Sequence, residues 1–173
     1  QPHQPHRIAM KTLYLDCSMG ASGDMLAGAL LGLVPSPTAA LDAFNAFGIP
    51  GVEFSVEDAV KGAIAARRLR VTVHGEEEHD GQYHHHRHLD DVYGIIDSLA
   101  ANRVVKESVK EIYRSIASAE ARAHGTSVEE VHFHEVGALD AIADVSATCW
   151  LMDAIGADEV VSSPLNTGMG TIE

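Results

Sequence analysis

The chain has 173 residues and sets 12 Lys+Arg against 25 Asp+Glu, a formal net charge of −13 with every histidine neutral. Apolar residues at 46% and charged residues at 21% give globular composition and exclude wholesale disorder. The acidic balance argues against a nucleic-acid or anionic-membrane partner, since phosphate binding needs clustered Lys/Arg, and no apolar run reaches the ~18 residues of a membrane span.

This length suits one domain or a compact pair of subdomains. Residues 1–10 lack the apolar stretch of a signal peptide and end on a candidate start at Met10, so they read as a leader or expression remnant. Residues 11–173 then form the folded part. Cys17 and Cys149 lie far apart without C-x-x-C spacing, which favours a reduced, cytoplasmic setting over a disulfide framework.

Lys11 to Asp16 reads as a short strand that runs into the small-residue turn Cys17-Ser18-Met19-Gly20-Ala21-Ser22-Gly23-Asp24. Apolar spacing predicts a helix over Met25–Leu33, stopped by Pro35 and Pro37, and a second over Thr38–Phe47. Alternation over Val52–Asp58 and Ile64–Val73, with Lys61-Gly62 between, predicts an antiparallel hairpin. His74 to His88 has no apolar period and reads as a loop. Leu89, Val92, Ile95, Ile96 and Leu99 mark a helix, and Val105, Val109, Ile112, Ile116 and Ala119 mark the inward face of another over Val104–His124, closed by Gly125. Val131–Glu135 is a short extended piece, Gly137–Ile155 an apolar helix ended by Gly156, and Val160-Val161 a last strand. The order of elements predicts an α/β (α+β) fold, a small mixed sheet including a hairpin packed with several helices.

Four places carry candidate chemistry. The loop at 74–88 holds His84, His85, His86 and His88 near the acidic run Glu76–Glu78; imidazoles suit Ni, Zn, Cu or Co, and a flexible loop would hold such an ion exchangeably. A solvated polar loop is the alternative. In an extended His132-Phe133-His134, the two imidazoles share a side and Phe133 anchors the other, so His132, His134 and Glu135 offer an N/O ligand set. The alternative is that one histidine is a satisfied polar residue under the helix. Asp140 and Asp144 lie one helical turn apart on one face, where two carboxylates call for a cation or simply for solvent. Finally, Asp16 and the turn through Ser18, Gly20, Ser22, Gly23 and Asp24 place glycines and hydroxyls at a helix N-terminus, either as an anion site or as a cap.

Taken together, the run from Leu13 to Met25, the His84–His88 loop, Glu120-Ala121-Arg122-Ala123-His124-Gly125 and Val131–Asp140 resemble the LarC family of nickel insertion proteins. The resemblance covers the chain from Lys11 onward and implies that it is the N-terminal half of a longer protein. It implies insertion of Ni2+ into pyridinium-3,5-bisthiocarboxylic acid mononucleotide, the step that completes the nickel-pincer cofactor of lactate racemase. That is a nickel chelatase or cyclometallase (lyase) reaction, in which CTP and a divalent cation belong to the C-terminal half. On this reading His84, His85, His86 and His88 capture nickel. His132, His134 and Glu135 hold it near the substrate, with Asp16, Asp140 or Asp144 as further carboxylates. Ser18, Gly20, Ser22, Gly23 and Asp24 border the substrate's phosphate, helped by Arg67 or Arg68. Two other readings stay open, a non-enzymatic nickel chaperone or storage module and a metal-dependent phosphohydrolase, as does a homo-oligomer.

Overall fold

The computed structural model describes residues 10–61, 63–76, 87–133 and 135–167. β1 (Thr12–Leu15) leads through the small-residue turn into α1 (Gly23–Leu31). This helix starts earlier than its apolar spacing predicts because Ser22 already has the extended backbone of an N-cap. In α2 (Pro37–Asn45) the start is set by Ser36, whose hydroxyl accepts the Ala39 N–H at 3.2 Å, and by Pro37 at the first helical position, where a missing N–H costs nothing.

β2 (Val52–Lys61) and β3 (Ile64–Val73) form the expected hairpin, with Val52 opposite Val73 and Lys61 opposite Ile64. Phe54 and Leu69 are buried on its inner face, and Asn45 ties α2 to it: the Phe54 N–H donates to Asn45 Oδ1 at 2.8 Å, and Asn45 Nδ2 returns a bond to the Phe54 carbonyl at 3.0 Å. Arg67 pairs with Asp58 at 3.4 Å, and Glu57 takes Arg68 at 3.4 Å and Arg70 at 3.1 Å, all across the hairpin. The basic side chains expected near a phosphate therefore already face hairpin carboxylates.

β4 (Arg87–His88) precedes α3 (Leu89–Ser98) and α4 (Arg103–His124). Asn102 caps α4 by accepting the Val105 N–H at 3.0 Å, and Gly125 closes it at φ +66°, a conformation that favours glycine. The buried stripe of α4 is Val105, Val109, Tyr113, Ala117 and Ala121. This corrects the expected stripe: Ile112 and Ala119 are exposed. A strict four-residue spacing follows the ridge that packs into a neighbouring helix, whereas the expected alternation of three and four describes a straighter seam.

β5 (His132–Phe133), α5 (Leu139–Ile155) and β6 (Glu159–Ser162) complete the chain. Among the described residues, pairing is divided among three two-stranded sheets: parallel β1–β6, antiparallel β2–β3 and antiparallel β4–β5. The mixed α/β class is the expected one, with the strands distributed around a largely helical core. α1 is clasped between β3 and α5, while Phe44, Phe47, Phe54 and Trp150 stack edge to face or tilted at 5.5–6.0 Å between ring centroids. Among the described residues no helix is long and apolar enough to cross a membrane. Both cysteines are free and buried, and burial pushes the Cys149 thiol up to about 11.

One glycine decides how closely α1 seats on the hairpin. A Cβ at Gly28 would stand 2.3 Å from the Arg67 carbonyl oxygen, a backbone atom that cannot swing away. Gly28→Ala is therefore expected to destabilise the fold by about 2–3 kcal/mol despite its better helix propensity, read as a lower urea midpoint at unchanged slope.

Candidate functional site

Antiparallel pairing of β4 with β5 sets His88 directly opposite His132 and Arg87 opposite Phe133. The His88 and His132 rings lie 4.0 Å apart between centroids, inclined at 50°. The end of the histidine-rich loop and the first histidine of the later segment thus meet, both of them exposed. His88 also occupies the N-cap of α3, its N–H donating to Asp91 Oδ2 at 2.9 Å. His84, His85, His86 and His134 lie outside the described residues, as does the side chain of Glu135. Among the described residues no group of three or more His, Cys, Asp or Glu is arranged to hold a metal ion.

The segment after β5 is fastened from beneath. Phe133 is buried against Tyr113, ring centroids 5.7 Å apart, as its alternation with His132 predicts. Tyr113 donates its hydroxyl to the Val136 carbonyl at 2.9 Å, and Arg87 Nη1 donates to the Gly137 carbonyl at 2.5 Å. These bonds hold the 3-10 turn Glu135–Gly137, and a Cβ at Gly137 would come within 2.8 Å of Phe133 Cβ. Sequence reasoning missed both donors. Tyr113 was legible as the residue four places after Val109, and Arg87 as the cation inside the histidine run. Burial, with Asp140 next, raises the Tyr113 hydroxyl well above its ordinary range, so it stays a donor. Tyr113→Phe is expected to cost about 1–2 kcal/mol by orphaning the Val136 carbonyl, measured as a lower thermal midpoint.

A second cluster forms where α5 meets the start of α1. Asp144 packs its carboxylate onto Gly23: a Cβ there would lie 2.9 Å from Asp144 Cβ and Oδ2. Its Oδ1 is buried with no hydrogen-bond partner among the described residues. Burial above all, then the charges of Asp24 and Asp140, push the Asp144 carboxyl up to about 7. Asp140 itself accepts the Ala141 N–H at 2.7 Å. Asp24 and Asp140 therefore disfavour the Asp144 charge where α1 meets α5, an effect that the spacing of Asp140 and Asp144 along α5 alone does not reveal.

Within the turn, three donors near the expected phosphate are already engaged. The Ser18 N–H donates to Asp16 Oδ1 at 3.1 Å, the Gly20 N–H to the Cys17 carbonyl at 3.0 Å, and the Ser22 hydroxyl to Asp24. Hydrogen bonds from Ser18 hold the Asp16 carboxyl below its ordinary range. Gly20 takes φ +87°. Carboxylates at Asp24 and Asp144 beside this helix start attract cations and repel a bare phosphate.

The nickel insertion protein family matches residues 13–173. A pyridinium-3,5-bisthiocarboxylic acid mononucleotide nickel insertion protein of Acetivibrio thermocellus is 41% identical over 166 residues, 95% of this chain and 41% of that one. Its counterpart in Geobacillus kaustophilus is 39% identical over 169 residues, 94% of this chain and 40% of the relative. A putative nickel insertion protein of Dictyoglomus thermophilum is 36% identical over 163 residues, with 94% and 40% covered. The chain thus spans about two fifths of the length of these curated relatives. No solved structure matches it. With the match running from the first strand through the histidine-bearing segment to the last residue, this chain belongs to the nickel insertion protein family.

Proposed function

We propose that this chain is the nickel- and substrate-handling domain, residues 11–173, of a cytoplasmic protein that inserts nickel into pyridinium-3,5-bisthiocarboxylic acid mononucleotide, the activity for which its relatives are named. The reaction class is that of a nickel chelatase or cyclometallase (lyase), and CTP with its divalent cation is assigned to the remainder of the protein. Nickel is cargo here, taken up and passed on.

The observation that carries this reading is the meeting of His88 with His132 across β4–β5. Imidazoles this close can share one ion after a small side-chain rotation, and imidazole is a natural nickel ligand. His84, His85 and His86 extend the capture side, and His134 and Glu135 complete the delivery side. Asp16, Asp140 and Asp144 are the additional carboxylates of the proposal. Ser18, Gly20, Ser22, Gly23 and Asp24 border the substrate's phosphate, and the charges of Asp24 and Asp144 require a cation between them and that phosphate. Few firm ligands and many exchangeable ones suit an ion that must leave for a thiocarboxylate chelator.

Equilibrium dialysis of the folded chain against Ni2+ at neutral pH tests this. Retained nickel that moves to added pyridinium-3,5-bisthiocarboxylic acid mononucleotide is expected; a folded chain that retains none overturns it.

A further inference from the structure

The parallel pair β1–β6 is bare where parallel strands are ordinarily covered on both faces. Paired residues of parallel strands share a face, which groups Thr12, Tyr14, Glu159 and Val161; the bond from Thr12 Oγ1 to Glu159 Oε2 at 3.2 Å agrees. On that face Tyr14 is 61% exposed and Val161 39%, and on the other side Val160 is 48% exposed although its partner Leu13 is buried. The segment after β6 turns back beside the turn that follows β1: the Cys17 N–H donates to Ser163 Oγ at 2.8 Å and the Asn166 N–H to the Cys17 carbonyl at 3.3 Å. This return brings exposed Leu165 and Met19 to the same end. Among the described residues no third strand joins the pair. A two-stranded sheet is marginal by itself, and contiguous exposed apolar residues mark a docking surface.

What covers it follows from length. The A. thermocellus relative matches this chain over only 41% of its own residues, and the G. kaustophilus relative over 40%, so in this family a larger body of polypeptide accompanies this domain. A second copy is a poorer occupant, because it would bring together two chains that each carry a net charge of −13. We propose that the β6 edge and the Tyr14/Val161 face are where the rest of the family's polypeptide docks, adding at least one strand beside β6. All four residues of β6 are exposed, whereas Leu13 of β1 is not, so growth is placed on the β6 edge.

Hydrogen exchange tests this on the chain alone and on the chain mixed with the polypeptide that makes up the unmatched part of the A. thermocellus relative. The backbone amides of Glu159–Ser162 are expected to slow by about tenfold or more on mixing, while those of the β2–β3 hairpin do not change. Val161→Lys, at an already exposed position, is expected to unfold thermally like the parent yet to lose the complex. Amides of β6 that exchange alike in both samples overturn the proposal, as does a chain that dimerises by itself through a contact that Val161→Lys breaks. No nickel enters these measurements, so their outcome is separate from that of the metal reading.

Discussion

His132→Ala is expected to weaken nickel retention by roughly 10–100-fold or more, given that even the loss of a group supporting a ligand costs that much. Stability should stay within about 0.5 kcal/mol of the parent, because the side chain is exposed and the strand is anchored by its neighbour Phe133. His88 needs a different substitution. It stands at the N-cap of α3, so alanine would remove a helix start together with a ligand, at about 1 kcal/mol. Asparagine suits that position and offers no imidazole, so His88→Asn should lose nickel with the helix intact. Isothermal titration with Ni2+, alongside thermal unfolding, separates the two effects. Replacing His84, His85 and His86 together by alanine is expected to slow loading while leaving a bound fraction. The storage reading predicts the reverse weighting, with the loop variant devoid of nickel and His132→Ala silent. That reversal would overturn the insertion reading.

Local signals were legible in the sequence where a few neighbouring residues decide the outcome. Gly125 marks a helix end by its own chemistry, and period-two alternation at Phe54 and Leu69 fixes the hairpin face. The face of α4 was misjudged because isoleucine at 112 and tyrosine at 113 are both apolar enough to be buried. The choice fell to Phe133 and the Val136 carbonyl, which reward an aromatic ring bearing a hydroxyl. For the site, the alternation of His132 with Phe133 was readable, since it is a property of any extended chain. The pairing of His88 with His132 was not: a two-residue ladder between distant segments leaves no periodic trace. Nor does the spacing of Asp140 and Asp144 disclose that Asp24 joins them from another helix.

The metal-free protein should lose stability as pH rises from about 4 to about 7, and Asp144 is the reason. Its carboxyl moves from an ordinary 3.8 in the unfolded chain to about 7 in the fold. Between these values the folded state holds a proton that the unfolded state has released, so the slope of unfolding free energy against pH is negative. The contribution is fully present below the unfolded value and gone above the folded one. At about 1.4 kcal/mol per pH unit the ceiling is about 4 kcal/mol, and partial solvent contact reduces it to about 2 kcal/mol. Asp16 and Glu130, whose carboxyls are held below their ordinary 3.8 and 4.5, act in the opposite sense and only at lower pH. Asp144→Asn keeps the shape against Gly23 and removes the charge from a buried oxygen that has no partner among the described residues. Urea midpoints at pH 5, 6.5 and 8 should therefore fall for the parent and stay flat for the variant, which becomes the more stable of the two by about 2 kcal/mol at pH 8. Parallel slopes for the two proteins would mean that Asp144 ionises freely and that the α1–α5 contact does not confine its charge.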